Sequence, residues 1–163
     1  MRLYFLRHAA ALDGMDDALR PLSATGRQQA RTLARFLRRS GITFDLAFAS
    51  PLVRARQTVD LVLPITNQLQ PLLPRETKLL LNEATPREFA NWLLCLPAAG
   101  HILLVGHEPT LSERVRWLLS LPREESLELR KGALACVQTE DQRTGTLKFL
   151  VTPKSLGLGR KRA

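Results

Sequence analysis

Residues 2–12 read RLYFLRHAAAL, and residues 101–111 read HILLVGHEPTL. Each stretch climbs through apolar side chains and stops on a histidine, His8 in the first and His107 in the second. Apolar runs this short are too brief for helices and fit strands buried on both faces. A group that can carry positive charge is costly to bury without a partner. Both strands therefore end where the chain has to leave the core. The chain has three histidines. The third, His101, begins its strand instead of ending it, and reads as structural.

Outward from these two runs, strands and helices alternate. Ser23 or Thr25 can cap a helix over about 24–39, in which Ala30, Leu33, Ala34 and Leu37 form an apolar stripe and Gly41 gives the stop. DLAFAS (45–50) reads as a strand. Ser50 and Pro51 then look like the cap and first residue of a helix, SPLVRARQTVDLVL, starting at the strand's end. Residues 64–78 read as a Pro- and Gln-rich loop, KLLLN (78–82) as a short strand, and TPREFANWLLCL (85–96) as a helix with a Thr-Pro start. A further helix is expected in EPTLSERVRWLLSL (108–121), with Pro109 near its start. GALACVQTE and TGTLKFLVT suggest a terminal antiparallel hairpin around DQRTG. This order predicts the α/β class, a three-layer α/β/α sandwich with a largely parallel central sheet.

The 163 residues suit one domain, taken as 1–153, followed by a basic tail, 154–163. No apolar stretch approaches the ~20 residues a bilayer-spanning helix needs. LYFL is also too short for a signal-peptide core, so a cytoplasmic protein is expected. Cys95 and Cys136 lack ligand or redox spacing and read as small buried hydrophobes in a reducing compartment. The net charge of +9, from 24 Lys and Arg against 15 Asp and Glu, favours anionic partners. Part of it lies on the solvated face of the first helix, at Arg27, Arg31, Arg35, Arg38 and Arg39, and part in GRKRA (159–163), read as a frayed terminus. Aromatic residues are not interleaved with basic ones, so nucleic acid is not the expected partner.

Ligands of such sheets bind at the carboxyl ends of the strands. Three strand ends carry chemistry here: Arg7-His8, Ser50 leading to Arg54, and Gly106-His107. No Ser–His–Asp set, strand-end thiol, glycine-rich phosphate loop or carboxylate cluster for Mg²⁺ accompanies them. Arginine offers a fork of donors matched to phosphate oxygens. Histidine is a nucleophile that is neutral or protonated near pH 7. The combination fits phosphoryl transfer with no metal and no cofactor. The helix start at Ser50-Pro51 would add backbone N–H donors.

LRHAAA, RPLSATGRQQA, SPLVRARQT and VGHEPTL, in this order and spacing, resemble the histidine phosphatase superfamily, whose founding pattern is Arg-His-Gly. The resemblance is to its short SixA-type branch of phosphohistidine phosphatases. It runs from residue 3 to about 112, with a weaker match at LRKGALACV (129–137). Ala9 stands where the founding pattern has Gly, a replacement common in the short branch. The resemblance implies the phosphoglycerate mutase-like fold. It implies that His8 is the phospho-accepting nucleophile, that Arg7 and Arg54 bind the phosphoryl group, and that His107 is the second pocket histidine. Arg20 matches a further pocket arginine. Arg56, two residues beyond Arg54 on the same segment, is expected at the rim or in solvent. Glu83 matches the region where larger members carry a general acid, with Asp16, Asp17 and Glu108 as alternatives. The segments available for a lid are short, 9–22 and 64–84. An open pocket suits a phosphoryl group on a protein side chain, as in a phosphorelay domain. A phosphomonoesterase for small molecules and a non-catalytic phosphoprotein-binding module are the other readings.

Overall fold

The computed structural model describes residues 1–122 and 127–158. The chain runs β1 (Arg2–Arg7), α1 (Ala24–Arg39), β2 (Leu46–Ala49), α2 (Val53–Thr66), β3 (Arg75–Glu76), α3 (Pro86–Leu94), β4 (His101–Gly106), α4 (Thr110–Leu118), β5 (Leu134–Gln138) and β6 (Thr146–Val151). One six-stranded sheet has the order β3-β2-β4-β1-β5-β6. The pairs β3/β2, β2/β4 and β4/β1 are parallel, and β5 and β6 add an antiparallel hairpin along β1.

Side chains on a strand alternate between faces, and here both faces are covered. Tyr4, Leu6, Leu103 and Val105 point to the α1/α2 side, among Ala30, Leu33, Leu37 and Val59. Leu3, Phe5, Ile102 and Leu104 point to the α3/α4 side, among Phe89, Leu93, Leu111 and Val115. Continuous burial on both faces is why these strands read as unbroken apolar runs. The expected three layers are present. Beyond β6, Leu156 packs against the α1/α2 side of the core. GRKRA (159–163), expected to fray, lies outside the described residues.

Helix starts follow the sequence except at one place. Ser23 caps α1 by accepting from the Gly26 amide, and Thr85 caps α3 in a reciprocal capping box with Glu88. Ser50, however, does not cap α2. That helix begins three residues later, at Val53, with Leu52 as a cap that makes no side-chain bond. Ser50 is fully buried, and its hydroxyl is bonded to His107 instead. The expected KLLLN strand is also corrected. Lys78–Leu80 is a 3-10 turn with Leu80 buried, and the strand is β3, in the stretch expected to be loop. Two exposed charged residues at a sheet edge carry no apolar pattern, so β3 is invisible to periodicity. Cys136 is buried as expected, but Cys95 is exposed at the end of α3. Arg27, Arg31, Arg35, Arg38 and Arg39 are all exposed.

The first turn of α1 is pressed against the segment that follows β1. A Cβ on Gly26 would lie 1.9 Å from the Ala10 carbonyl oxygen and 2.8 Å from its carbon. Alanine is favoured over glycine inside a helix by about 1 kcal/mol, but overlap with rigid backbone outweighs that gain. Gly26→Ala is therefore expected to destabilise the fold by about 1–3 kcal/mol, read as a lower urea midpoint. A midpoint at or above that of the parent protein would contradict this packing.

Candidate active site

β1 and β4 are neighbours, and their following helices α1 and α4 pack on opposite faces of the sheet. That divergence opens a crevice at the strands' carboxyl ends. Arg7 pairs in register with Gly106, and the His8 amide donates to the Gly106 carbonyl at 3.1 Å. The two following imidazoles thus face each other, with ring centroids 5.0 Å apart. His8, His107 and Arg54 are all buried, at 7%, 3% and 8% exposure.

A carbonyl partner fixes the tautomer of His8, while His107 is held by a hydroxyl that can donate or accept. His8 Nδ1 lies 2.8 Å from the Ala9 carbonyl. A carbonyl only accepts, so Nδ1 carries the hydrogen, and in the neutral ring Nε2 keeps its lone pair. His107 Nε2 is bonded to Ser50 Oγ, while its Nδ1 is buried with no partner among the described residues. Burial pushes the His8 imidazole down to about 4, and the Arg54, Arg7 and Lys131 charges add to the effect against the Ala9 hydrogen bond. Burial, then His8 and Arg54, push His107 down to about 3.

Two guanidinium groups flank the rings. Arg7 donates from Nη1 to the Leu129 carbonyl at 2.8 Å, and its Nε is buried and unpartnered. Arg54, from the first turn of α2, donates from Nη1 to the Asp17 carbonyl and from Nη2 to the Asp17 carboxylate, the latter at 2.8 Å. Guanidinium has five donors, so three of Arg54's remain. Arg20 reaches Asp17 at 2.9 Å and Asp13 at 3.1 Å, and its Nε donates to the Leu12 carbonyl. It is thus one carboxylate removed from Arg54. Hydrogen bonds from Arg54 and then Arg20 hold the Asp17 carboxyl below its usual range.

Polar motif residues brace the backbone of residues 9–23. The Ala9 amide donates to Thr58 Oγ1 at 3.1 Å, Ala10 to Gln29 Oε1 at 2.9 Å, and Leu22 to Gln57 Oε1 at 2.8 Å. Ser23 donates to the Ala10 carbonyl from both amide and hydroxyl. The sequence alone marks no role for Gln29, Gln57 or Thr58, and it marks Ser50 as a helix cap instead of the partner of His107. Their signal was present: these are polar residues inside the quoted motifs, and Thr58 lies four residues from Arg54 on the same helix.

The acid candidates separate. Glu83 is exposed and makes no ion pair or hydrogen bond among the described residues. Asp16 caps the 3-10 turn Asp17–Leu19. Glu108, directly after His107, is half-buried, with Oε1 unpartnered, and burial raises its carboxyl. It shares an open groove of about 780 Å³ with Arg7. Arg56 is exposed and paired with Glu76 at 3.0 Å. His101 accepts or donates at Nδ1 with the Tyr4 hydroxyl, 3.2 Å away, at the amino end of β4. No three His, Cys, Asp or Glu side chains are grouped as metal ligands among the described residues, nor is any described helix long and apolar enough to cross a membrane.

The fold thus gathers two arginines and two buried imidazoles at the carboxyl edge of its parallel strands. Residues 3–84 match the profile of the histidine phosphatase superfamily (branch 1). Over 174 aligned positions the chain is 32% identical to an uncharacterised protein of Picosynechococcus, covering 96% of this chain and 99% of that one. Over 167 positions it is 28% identical to the phosphohistidine phosphatase SixA of Escherichia coli K12, covering 98% and 99%. The solved structure of the protein histidine phosphatase SixA with tungstate superposes with a TM-score of 0.84, at 23% identity, over 96% of this chain and 99% of that one. The chain belongs to the histidine phosphatase superfamily, and it is a phosphatase of the SixA type.

Both imidazoles have folded values below the ordinary 6.5. The unfolded chain therefore binds more protons between 6.5 and those values. Their contribution to stability is complete above 6.5 and is lost as pH falls through about 4 for His8 and about 3 for His107. Titrating the ring protons by NMR is expected to show both imidazoles neutral at pH 6 in the ligand-free protein. A midpoint near 6.5 for either ring would contradict the burial argument.

Proposed function

We propose that the protein is a metal-independent protein phosphohistidine phosphatase that works through a phosphorylated His8. The observation carrying this reading is the His8 tautomer, because the Nδ1–Ala9 bond leaves the Nε2 lone pair for attack. Nε2 attacks phosphorus, the bond from phosphorus to the substrate imidazole breaks, and that nitrogen takes a proton from solvent. Water then attacks phospho-His8, releasing inorganic phosphate and restoring the neutral ring. Arg7 and the free donors of Arg54 stabilise the charge on the equatorial oxygens. With the Ser50 hydroxyl donating to Nε2, His107 carries its hydrogen on Nδ1, whose lack of a partner suits a phosphoryl oxygen. Arg20 acts through Asp17, holding the carboxylate that orients Arg54.

The open surface beside Arg7 supports a protein substrate. Grooves of about 780 Å³ lie against Arg7 on two sides, and neither is an enclosed pocket for a metabolite. The relation to E. coli SixA, named as a phosphohistidine phosphatase, points the same way. A single domain carries the whole site, and residues 154–158 stay with it through Leu156.

The test is phosphate release from a phosphorylated histidine phosphotransfer domain, run beside sugar and nucleotide phosphates. Release from the phosphodomain, lost in His8→Ala, is expected. Preferential turnover of a sugar or nucleotide phosphate would favour a small-molecule phosphomonoesterase, and phosphate binding without turnover a binding module.

Proton donation to an alkoxide is the step that separates Glu83 from Glu108. A dedicated acid contributes about 10²-fold or more, whereas a departing imidazole protonates unaided near neutral pH. Glu108→Gln is expected to lose that factor on an alkyl phosphate and to keep most of its rate on phosphohistidine. Glu83→Gln is expected to keep both. The reverse pattern would move the acid to Glu83.

A further inference from the structure

The turn that leads into β5 is tied to the catalytic strand. The Gly132 amide donates to both the Arg7 and His8 carbonyls at 3.2 Å, the Arg7 amide donates to the Ala133 carbonyl at 3.1 Å, and the Arg7 guanidinium holds the Leu129 carbonyl. Gly132 has φ +74°, a conformation costly for any residue with a Cβ. A Cβ there would also meet Pro153 at 3.1 Å and Gln29 at 3.2 Å. The turn thus has little freedom, and it carries two exposed cations, Arg130 and Lys131.

These cations line an open groove of about 780 Å³ that starts at Arg7 and runs past Lys154, with Glu128 as its one carboxylate among the described residues. Among the described residues, Arg130, Lys131 and Lys154 make no ion pair. Arg7 lines the same groove as Arg130, Lys131 and Lys154, so the strip is continuous with the proposed phosphoryl site. The exposed arginines of α1 follow helical spacing and suit a solvated face. The strip beside β5, by contrast, comes from separate segments and converges on the site. No aromatic side chain lines it, so it lacks the stacking platform that single-stranded nucleic acid uses. It is also open, whereas small ligands are mostly enclosed by their pockets.

We propose that Arg130, Lys131 and Lys154 form a docking groove for carboxylate side chains that surround the phosphohistidine of a protein substrate, so that the enzyme selects acidic surroundings. This rests on the phosphohistidine reading above. Charge-assisted contacts in a solvated groove act with the phosphoryl group bound at His8 and lower KM for acidic substrates. They weaken as salt shortens the screening length.

The test uses two chemically phosphorylated peptides with one phosphohistidine each, flanked by Glu in one and by Gln in the other, together with phosphoimidazole. The parent protein is expected to show a KM about tenfold lower for the Glu peptide, a factor equivalent to about 1.4 kcal/mol. The preference is expected to shrink at about 0.5 M salt and to fall several-fold in the double variant Arg130→Gln, Lys154→Gln. Phosphoimidazole turnover by that variant reports that its site is folded, and the salt series on the parent protein needs no variant. Equal KM for the two peptides would overturn the groove, as would a preference that survives both salt and the double variant. Failure to turn over any phosphohistidine compound, with sugar or aryl phosphates hydrolysed, would overturn the phosphohistidine reading and the groove with it.

Discussion

The parallel pairing of β1 with β4 is the constraint on which the site depends. It sets Arg7 opposite Gly106 and lets the His8 amide close onto the Gly106 carbonyl. Two imidazoles from residues about a hundred positions apart are thereby placed side by side without any bond between them. Because α1 and α4 leave toward opposite faces, a crevice opens above the strand ends. The rest of the site is built around holding that arrangement open. Gln29, Thr58 and Ser23 fix the backbone after His8, and Ser50 fixes the His107 ring.

Keeping this pocket ready has an electrostatic cost. Two guanidinium groups share a small volume with two buried rings, and the proteins' response is to hold the rings neutral. Two buried nitrogens, Arg7 Nε and His107 Nδ1, have no partner among the described residues and lie at the same place. A buried polar group without a partner destabilises a fold, and these two stand at the carboxyl edge of the sheet, where the crevice opens. Asp17 engages two of Arg54's donors from an exposed turn.

Most of the sheet was legible because its central strands are short apolar runs, and the helices because capping residues and apolar stripes mark them. The failures share a cause. Ser50-Pro51 has the local signature of a helix start, yet a tertiary hydrogen bond to His107 claims the hydroxyl and the helix begins at Val53. β3 is two charged residues at an edge, recognised only by what it pairs with. In the site, His8, His107, Arg7 and Arg54 could be singled out because they stand at strand ends or in matched motifs. Asp17 was marked only as an alternative acid and the bracing glutamines only as motif residues, because the partners that give them their roles, Arg54 and the backbone of residues 10 and 22, lie far along the chain.

The sequence by itself determined which segments are strands and which chemical groups stand where strands leave the core, because burial pattern and residue type are local properties. It also determined the family, through four motifs in order. Only the tertiary structure decided that the His8 ring presents Nε2, that Ser50 serves His107, that Asp17 rather than solvent meets Arg54, and that Arg130, Lys131 and Lys154 converge beside Arg7. Each of these is a distance between residues from different segments, and such distances are set by how strands pair and helices pack.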